Sequence, residues 1–272
     1  MRNLLVHLDS SATTRGRLAL AAKVARRHDA RLVGLFAQSG KAHRVGLVAS
    51  WPSEEYLAAA RESEAMFAEI CAGLKAFEWV DLHRGGESEI LEQIVDFARH
   101  FDMIVCGQPQ PDHPPAPADL IERIVVDAGR PVLAVPYAGE FAEIGHRPLF
   151  AWSDSREAAR ALADAIGLVA PGADAFVVSV EKPGDDTRRA YNRKSLDLAV
   201  AHLAAHDIAA RADQSIVSDI GLMDALLNEA VDHSADLLVI GAFGGQGYPR
   251  FSRGSGSRFM LKHMTLPVLF SH

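Results

Sequence analysis

The sequence predicts an α/β protein built from two consecutive copies of one domain, each with a parallel sheet covered by helices. The first observation is a repeat of two strand-like segments. "FDMIVCG" and "RPVLAV", at 101–107 and 130–135, are matched by "ADLLVIG" and "LPVLFS", at 235–241 and 266–271. The second observation is that short apolar segments alternate with helix-like segments within each copy. Such alternation is typical of parallel βαβ units with right-handed crossovers.

The beginnings of the two copies also correspond. "RNLLVHLDSS" near the start resembles "RPLFAWSDS" at 147–155, and an alanine-rich, helix-like segment follows each. The segment "PYAGEFAEIGHR", 136–147, lies between the copies. We therefore expect an N-terminal domain over 1–140 and a C-terminal domain over 146–272.

The elements of the second copy can be predicted in order. Continuous apolar runs indicate strands that are buried on both faces, and apolar residues spaced three and four apart indicate helices. The predicted strands are 148–152, 175–180, 208–216, 236–240 and 267–271. The predicted helices are 156–169, capped by Ser155, and 188–206, 219–232 and 255–264. The first copy gives the same count, with a longer second helix over 52–76.

The composition argues against several partners. A net charge of −7 does not suit nonspecific binding of nucleic acid, which needs a basic face. No apolar run reaches the roughly 18–20 residues of a membrane span, and the first residues lack the layout of a signal peptide. Cys71 and Cys106 have no metal-ligand spacing and are expected to be buried thiols. These features predict a cytoplasmic protein without a metal site.

A glycine-rich segment, 241–259, follows the fourth predicted strand of the second copy. In doubly wound sheets, ligands bind beyond the carboxyl ends of the strands. Gly241, Gly244 and Gly254 are spaced G-x2-G-x9-G, and Ser255 comes next. Glycines let a backbone approach phosphate oxygens closely, and the free N–H groups of a helix N-terminus attract anions.

Side chains of the same segment suit a phosphate chain. The hydroxyls of Ser255 and Ser257 can donate hydrogen bonds, and Arg250 and Arg253 can neutralise charge. The alternative is a surface loop in which Ser255 only caps the helix. Neither GxGxxG nor the P-loop pattern GxxxxGK[ST] occurs here.

With these residues, the second copy resembles the universal stress protein family. Its nucleotide-binding members carry G-x2-G-x9-G-[ST] between the fourth strand and the fourth helix, and "GAFGGQGYPRFSRGS" at 241–255 matches that pattern in full. Counting both copies, the chain resembles a tandem universal stress protein. The resemblance implies five-stranded sheets of order 3-2-1-4-5, similar to the adenine nucleotide alpha hydrolase fold. It also implies ATP as the ligand, with or without Mg²⁺.

The resemblance further implies which residues contact the nucleotide. The glycine loop would hold the phosphates, and the ends of the first two strands would hold adenine and ribose. The implied contact residues are Trp152, Ser153, Asp154, Val180, Ile240, Gly241, Gly244, Gly254, Ser255, Gly256 and Ser257.

The second copy departs from the family at the adenine end. The family usually has an aspartate in a D-x-S arrangement after the first strand, but Ser153 stands there and Asp154 is displaced by one. Asp154 either takes over the role or only begins the helix. Trp152 either stacks on the base or packs in the core or an interface. Gly245 stands where the family often has a basic residue.

The first copy departs at the phosphate end. Asp9 and Ser11 keep the D-x-S arrangement and Gly107 is retained, but the other motif positions hold Gln110, Leu120 and Ile121. Prolines in this loop remove N–H donors. They are Pro109, Pro111, Pro114, Pro115 and Pro117. We expect no phosphate site in the first copy.

Three functions fit the sequence. The favoured one is a regulatory stress-response module that binds ATP in its second copy and acts through a protein partner. The alternatives are a weak ATPase or phosphotransferase using the same loop, and a nucleotide-free scaffold for another small molecule or a protein. No catalytic residue is identified. His83, His202, His206 and His233 are interpreted as surface or helix-flank residues.

Family members pair through their final strands. The resemblance therefore also implies an internal pseudo-dimer in which 131–135 lies beside 266–270. Homodimerisation through other surfaces stays open.

Overall fold

A computed structural model describes residues 1–40, 43–45, 48–110, 115–184, 186–244 and 254–272. The chain divides into two compact units, Met1–Ala142 and Glu143–His272. Across these described ranges, none of the helices combines the length and the apolar character that crossing a membrane requires.

The N-terminal unit contains a parallel sheet of five strands. Its elements are β1 (Asn3–Leu8), α1 (Thr14–His28), β2 (Arg31–Phe36), β3 (His43–Val45), β4 (Val48–Ser50), α2 (Glu54–Cys71), β5 (Phe77–Asp81), α3 (Glu87–Ala98), β6 (Met103–Gly107), α4 (Leu120–Arg123) and β7 (Val132–Val135). The strand order is β5-β2-β1-β6-β7. The pair β3–β4 forms a small antiparallel hairpin, which the sequence analysis did not predict. A π-helical turn, Ile124–Ala128, continues α4.

The C-terminal unit repeats this plan. Its elements are β8 (Pro148–Ala151), α5 (Arg156–Ala165), β9 (Ala175–Glu181), α6 (Asp186–Ala204), β10 (Ala210–Ile216), α7 (Leu222–Asp232), β11 (Leu237–Gly241), α8 (Ser255–His263) and β12 (Val268–Ser271). The strand order is β10-β9-β8-β11-β12. Both orders read 3-2-1-4-5 within their units, so the predicted fold class is confirmed.

The central strands are apolar on both faces because helices cover both faces of each sheet. In β11, Leu237, Leu238 and Val239 are buried, as are Leu4 and Leu5 of β1. The edge strand β10 instead alternates between exposed and half-buried side chains. Cys71 and Cys106 are buried free thiols, as expected, and burial raises the pKa of Cys106 to about 12.

Register brings the carboxyl ends of three strands of the C-terminal unit together. Ala151 of β8 lies opposite Ile240 of β11 and Val178 of β9. The backbone N–H of Trp152 donates to the carbonyl of Val178 at 2.8 Å. The residues that follow β8, β9 and β11 therefore share one edge of the sheet, where a ligand of this fold is expected.

Gly241 ends β11 where the backbone of α5 leaves no room for a side chain. A Cβ on Gly241 would lie 2.5 Å from the backbone nitrogen of Ala158 and 2.5 Å from the carbonyl carbon of Glu157. Real Cβ atoms are never that close to backbone atoms. The glycine is thus required for packing as well as available for ligand binding.

Replacement of Gly241 by alanine should destabilise the C-terminal unit. We expect Gly241→Ala to lower its free energy of unfolding by about 2–3 kcal/mol, since backbone atoms must move to admit the methyl group. Urea unfolding followed by circular dichroism measures the change.

The matched control is Gly172→Ala in the same unit. Gly172 has a φ of 73° but no heavy atom within 4 Å of a built Cβ. That substitution should cost only about 1 kcal/mol of backbone strain. Equal costs for the two variants would contradict the close packing at Gly241.

Candidate functional site

The start of α8 forms the anion-attracting end of the site. Gly254 precedes the helix with a φ of 77°, a left-handed conformation that favours glycine. Ser255 is exposed and Gly256 is half-buried. The first turn contains no acidic residue, and Lys262 and His263 occupy the last turn. The N-terminal N–H groups of α8 and its positive dipole end therefore face no carboxylate of their own helix.

Ser257 has a structural role that the sequence analysis did not predict. Its side chain is buried, and its Oγ accepts a hydrogen bond from the backbone N–H of Phe243 at 2.9 Å. This bond ties the residues just after β11 to the first turn of α8. The hydroxyl proton is still able to donate to a ligand oxygen.

Glu157 lies against the glycine loop and was missed by the sequence analysis. The side chain is buried, and a Cβ built on Gly244 would lie 2.5 Å from its Cδ. In the sequence, Glu157 looks like an ordinary acidic residue in the first turn of α5, so nothing in the pattern marks it.

The Glu157 carboxylate is held in its charged form. Burial acts to raise its pKa, but the hydrogen bonds from Arg156 and from the Glu157 backbone N–H, together with the positive charges of Arg156 and His272, outweigh burial. The pKa therefore lies below its usual range. Arg156 Nε donates to Glu157 Oε1 at 2.7 Å.

Two basic groups lie beside this carboxylate. The Arg156 side chain is 72% exposed, which leaves it accessible to a ligand. His272 Nδ1 lies 2.9 Å from the carbonyl oxygen of Ala242, and its Nε2 lies 3.4 Å from Arg156 Nη2. The basic residues that the sequence analysis favoured, Arg250 and Arg253, lie outside the described residues, as does Gly245.

Asp154 and Trp152 contact α6. Asp154 accepts hydrogen bonds from the Tyr191 hydroxyl at 2.8 Å and from Ser195 Oγ at 3.1 Å. Trp152 Nε1 donates to Ser195 Oγ at 3.0 Å, and Ser153 is exposed. Neither role that the sequence analysis considered for Asp154 included these contacts. The two partners lie 37 and 41 residues away in the sequence, so no local pattern indicates them. Its role toward adenine stays a prediction.

The helix cap at this strand end is Ser155. Its Oγ accepts a hydrogen bond from the backbone N–H of Ala158 at 3.2 Å, as the sequence analysis expected. Ile240 is buried and Val180 is half-buried at the strand ends. Next to Val180, Glu181 accepts hydrogen bonds from Asn192 and Ser179, at 2.7 and 2.9 Å. These contacts fix the end of β9.

The corresponding edge of the N-terminal unit holds a buried ion pair. Arg17 and Asp9 are 3% and 6% exposed, and their charged groups lie 3.1 Å apart. Asp9 also accepts hydrogen bonds from the hydroxyls of Ser11 and Thr14, both at 2.5 Å. Burial acts to raise the Asp9 pKa, but the charges of Arg17 and His7 and these hydrogen bonds outweigh burial and lower it.

Arg17 occupies the space next to Gly107. A Cβ on Gly107 would lie 2.0 Å from Arg17 Nη1, so the guanidinium touches the glycine backbone. One cavity lies between His7, Asp9, Arg17 and the residues that follow β6, and it measures about 30 Å³. That volume suits a water molecule and is far smaller than the several hundred Å³ of a typical ligand pocket.

Comparison with known protein families identifies a match in the C-terminal unit. Residues 146–272 match the sequence profile of the Universal stress protein family. The C-terminal unit belongs to the universal stress protein family. The predicted family is thereby confirmed, and the tandem arrangement fits solved structures that cover the whole chain.

A universal stress protein from Archaeoglobus fulgidus DSM 4304 aligns over 99% of this chain and 95% of its own, with 16% identity and a TM-score of 0.69. A protein from Pseudomonas aeruginosa UCBPP-PA14, provisionally assigned to the universal stress proteins, aligns over 100% and 93%, with 15% identity and a TM-score of 0.58. These likenesses show the fold.

A further solved structure is described as a complex. A universal stress protein from Archaeoglobus fulgidus in complex with dAMP aligns over 49% of this chain and 97% of its own, with 22% identity and a TM-score of 0.35. The comparison with proteins of curated function found no match.

Neutralising Asp9 should destabilise the N-terminal unit. Asp9→Asn leaves the Arg17 charge buried without a counter-charge, which typically costs about 3–5 kcal/mol of unfolding free energy. Folding lowers the pKa of Asp9. The ionised carboxylate therefore stabilises the folded wild type fully above about pH 4, and this stabilisation is lost progressively as the pH falls below that value. The difference between wild type and variant should therefore shrink toward pH 3 in urea unfolding.

Glu69→Gln is the control for this experiment. It removes an exposed ion pair, Arg15–Glu69, whose side chains are 57% and 64% exposed. No measurable change in unfolding is expected, because solvent screens such pairs. A pH-independent cost of Asp9→Asn would contradict the assigned ion pair.

Proposed function

We propose that the C-terminal unit binds ATP and that the protein is a stress-response regulator which transmits nucleotide occupancy to a protein partner. The observation that carries the proposal is the start of α8. A left-handed Gly254 leads into a helix whose first turn lacks acidic residues, at the loop that carries the complete G-x2-G-x9-G-S spacing. Helix N-termini of this kind bind phosphate groups.

The proposed site has a phosphate side and a base side. On the phosphate side, the first N–H groups of α8 and the Ser255 hydroxyl would donate to oxygens, and Arg156 would supply positive charge. Arg156 thus provides the basic group that position 245 lacks. On the base side, Trp152 and Val180 would border adenine at the ends of β8 and β9.

Glu157 makes the proposed binding dependent on a cation. Its carboxylate is buried beside Gly244 and would face the negative charge of a triphosphate. Mg²⁺ accompanies nucleotides and prefers one or two carboxylate oxygens together with phosphate oxygens and water. The carboxylate therefore fits this cation, which would offset the repulsion between Glu157 and the phosphates.

The geometry favours binding over hydrolysis. An efficient general base has a pKa near the working pH, whereas Arg156 and His272 lower the pKa of Glu157. The same carboxylate is already hydrogen-bonded to Arg156. It is therefore a poor acceptor for the proton of an attacking water.

Titration calorimetry with ATP and Mg²⁺ tests the assignment of the site. We expect one nucleotide per chain in the wild type and at least a tenfold loss of affinity in Gly244→Val. The valine side chain would fill the space between the loop and Glu157, where even a Cβ comes within 3 Å of that side chain. The contact is with a side chain and not with backbone, so the variant should still fold, which circular dichroism checks.

The matched control is Gln110→Val, at the corresponding motif position of the N-terminal unit. This variant should bind ATP as the wild type does. Loss of binding in Gln110→Val but not in Gly244→Val would show that ATP binds in the N-terminal unit, and it would contradict the proposed site. Absence of binding in the wild type at millimolar ATP would overturn the proposal.

Removing the charge of Glu157 should change the cation dependence. We expect Glu157→Gln to strengthen binding of ATP without Mg²⁺ by about tenfold, equivalent to about 1.4 kcal/mol, and to reduce the gain from adding Mg²⁺. The exposed Asp186→Asn is the control and should behave as the wild type. Weaker binding of metal-free ATP by Glu157→Gln would contradict this role.

A further inference from the structure

A second cluster of polar side chains lies on β10 and α7 of the C-terminal unit. Asp213 belongs to β10, Glu229 to α7, and His233 directly follows α7. One ligand atom of each residue, an imidazole nitrogen or a carboxylate oxygen, lies within 4.8 Å of the other two. The sequence analysis interpreted His233 as a surface or helix-flank residue. His233 flanks the end of α7 as that analysis also allowed, and only 18% of its side chain is exposed.

The distances within this cluster resemble those around a metal ion. His233 Nε2 lies 3.4 Å from Asp213 Oδ2 and 3.5 Å from Glu229 Oε2. Zinc binds imidazole nitrogen and carboxylate oxygen at about 2.0–2.2 Å with tetrahedral angles, so neighbouring ligand atoms are separated by about 3.3–3.6 Å. Both separations in this cluster match the distance between two ligand atoms of a tetrahedral zinc site.

The imidazole nitrogen at the centre of the cluster lacks another partner. His233 Nε2 is buried and makes no hydrogen bond within the part of the chain that the structure describes. Leaving a buried polar atom unsatisfied is costly, and such atoms call for an explanation. An imidazole nitrogen together with two carboxylates is a donor set that suits a divalent transition metal.

The surrounding structure holds the imidazole in place. The His233 ring packs on the Phe176 ring, with centroids 4.1 Å apart. The His233 carbonyl accepts hydrogen bonds from Arg147 Nε and Nη2, at 3.0 and 2.8 Å. Arg211, on the same face of β10 as Asp213, is paired with Asp174. Orientation by fixed neighbours is what a metal-ligating histidine needs.

We propose that Asp213, Glu229 and His233 form a zinc-binding site of the C-terminal unit. The i, i+4 spacing of Glu229 and His233 places both on one side of α7, and Asp213 completes the set from the neighbouring strand. Three protein ligands leave a fourth position, which water can reach because the Asp213 side chain is 50% exposed. The ion would link the edge strand β10 to α7 and stabilise that edge.

Zinc binding to the full-length protein tests the proposal. Equilibrium dialysis against Zn²⁺ in the presence of a weak chelator should show one more bound ion in the wild type than in His233→Ala. Asp213→Asn should bind at least tenfold more weakly. Zinc should also raise the thermal unfolding midpoint of the wild type but not of His233→Ala, because a ligand of the folded state stabilises it.

His206→Ala is the matched control, since His202 and His206 form an exposed histidine pair on and just after α6. It should retain the ion. If His233→Ala does not fold, Asp213→Asn decides, because Asp213 is exposed and its replacement should leave the core intact. Equal zinc binding by wild type and Asp213→Asn, or no binding by the wild type, would overturn the proposal.

Discussion

The close approach of a strand end to a helix start determines the candidate site. In the C-terminal unit, the end of β11 touches the first turn of α5 so closely that only glycine fits at position 241. This contact brings Arg156 and Glu157 to the loop that follows β11. The charges beside the proposed phosphate site therefore come from a helix that begins 85 residues earlier in the chain than Gly241.

In the N-terminal unit, the glycine at the corresponding strand end is also crowded, but by a different group. Gly107 ends β6, and the guanidinium of Arg17 lies where its side chain would be. Arg17 is buried and paired with Asp9, so its charge cannot reach an external anion, whereas Arg156, which is paired with Glu157, is 72% exposed. The two units thus share a fold while differing in where their charges are satisfied, which explains why we propose a nucleotide site in only one of them.

Sequence reasoning predicted the architecture well because apolar runs and helical periodicity are local properties. Strand β9 and helix α8 begin at their predicted residues and end within one residue of their predicted ends. The glycine spacing predicted the position of the loop, and the sequence also predicted that Ser155 caps α5. The hairpin β3–β4 was missed, since its strands are only three residues long.

The side-chain partners of the site could not be predicted in the same way. Glu157 is buried against Gly244, and Asp154 is hydrogen-bonded to Tyr191 and Ser195, through contacts that only the folded chain creates. The same holds for Asp213 and His233, which lie 20 residues apart on different elements. Spacing patterns reveal ligands on one helix or in one loop, and they do not reveal pairs that tertiary packing brings together.

Hydrogen–deuterium exchange of the intact protein, with and without ATP and Mg²⁺, tests the central claim most directly. We predict slower exchange in peptides that cover 240–244 and 254–260 and unchanged exchange in peptides that cover 107–121. Protection at 107–121 alone, or no protection in either unit at saturating nucleotide, would contradict the account.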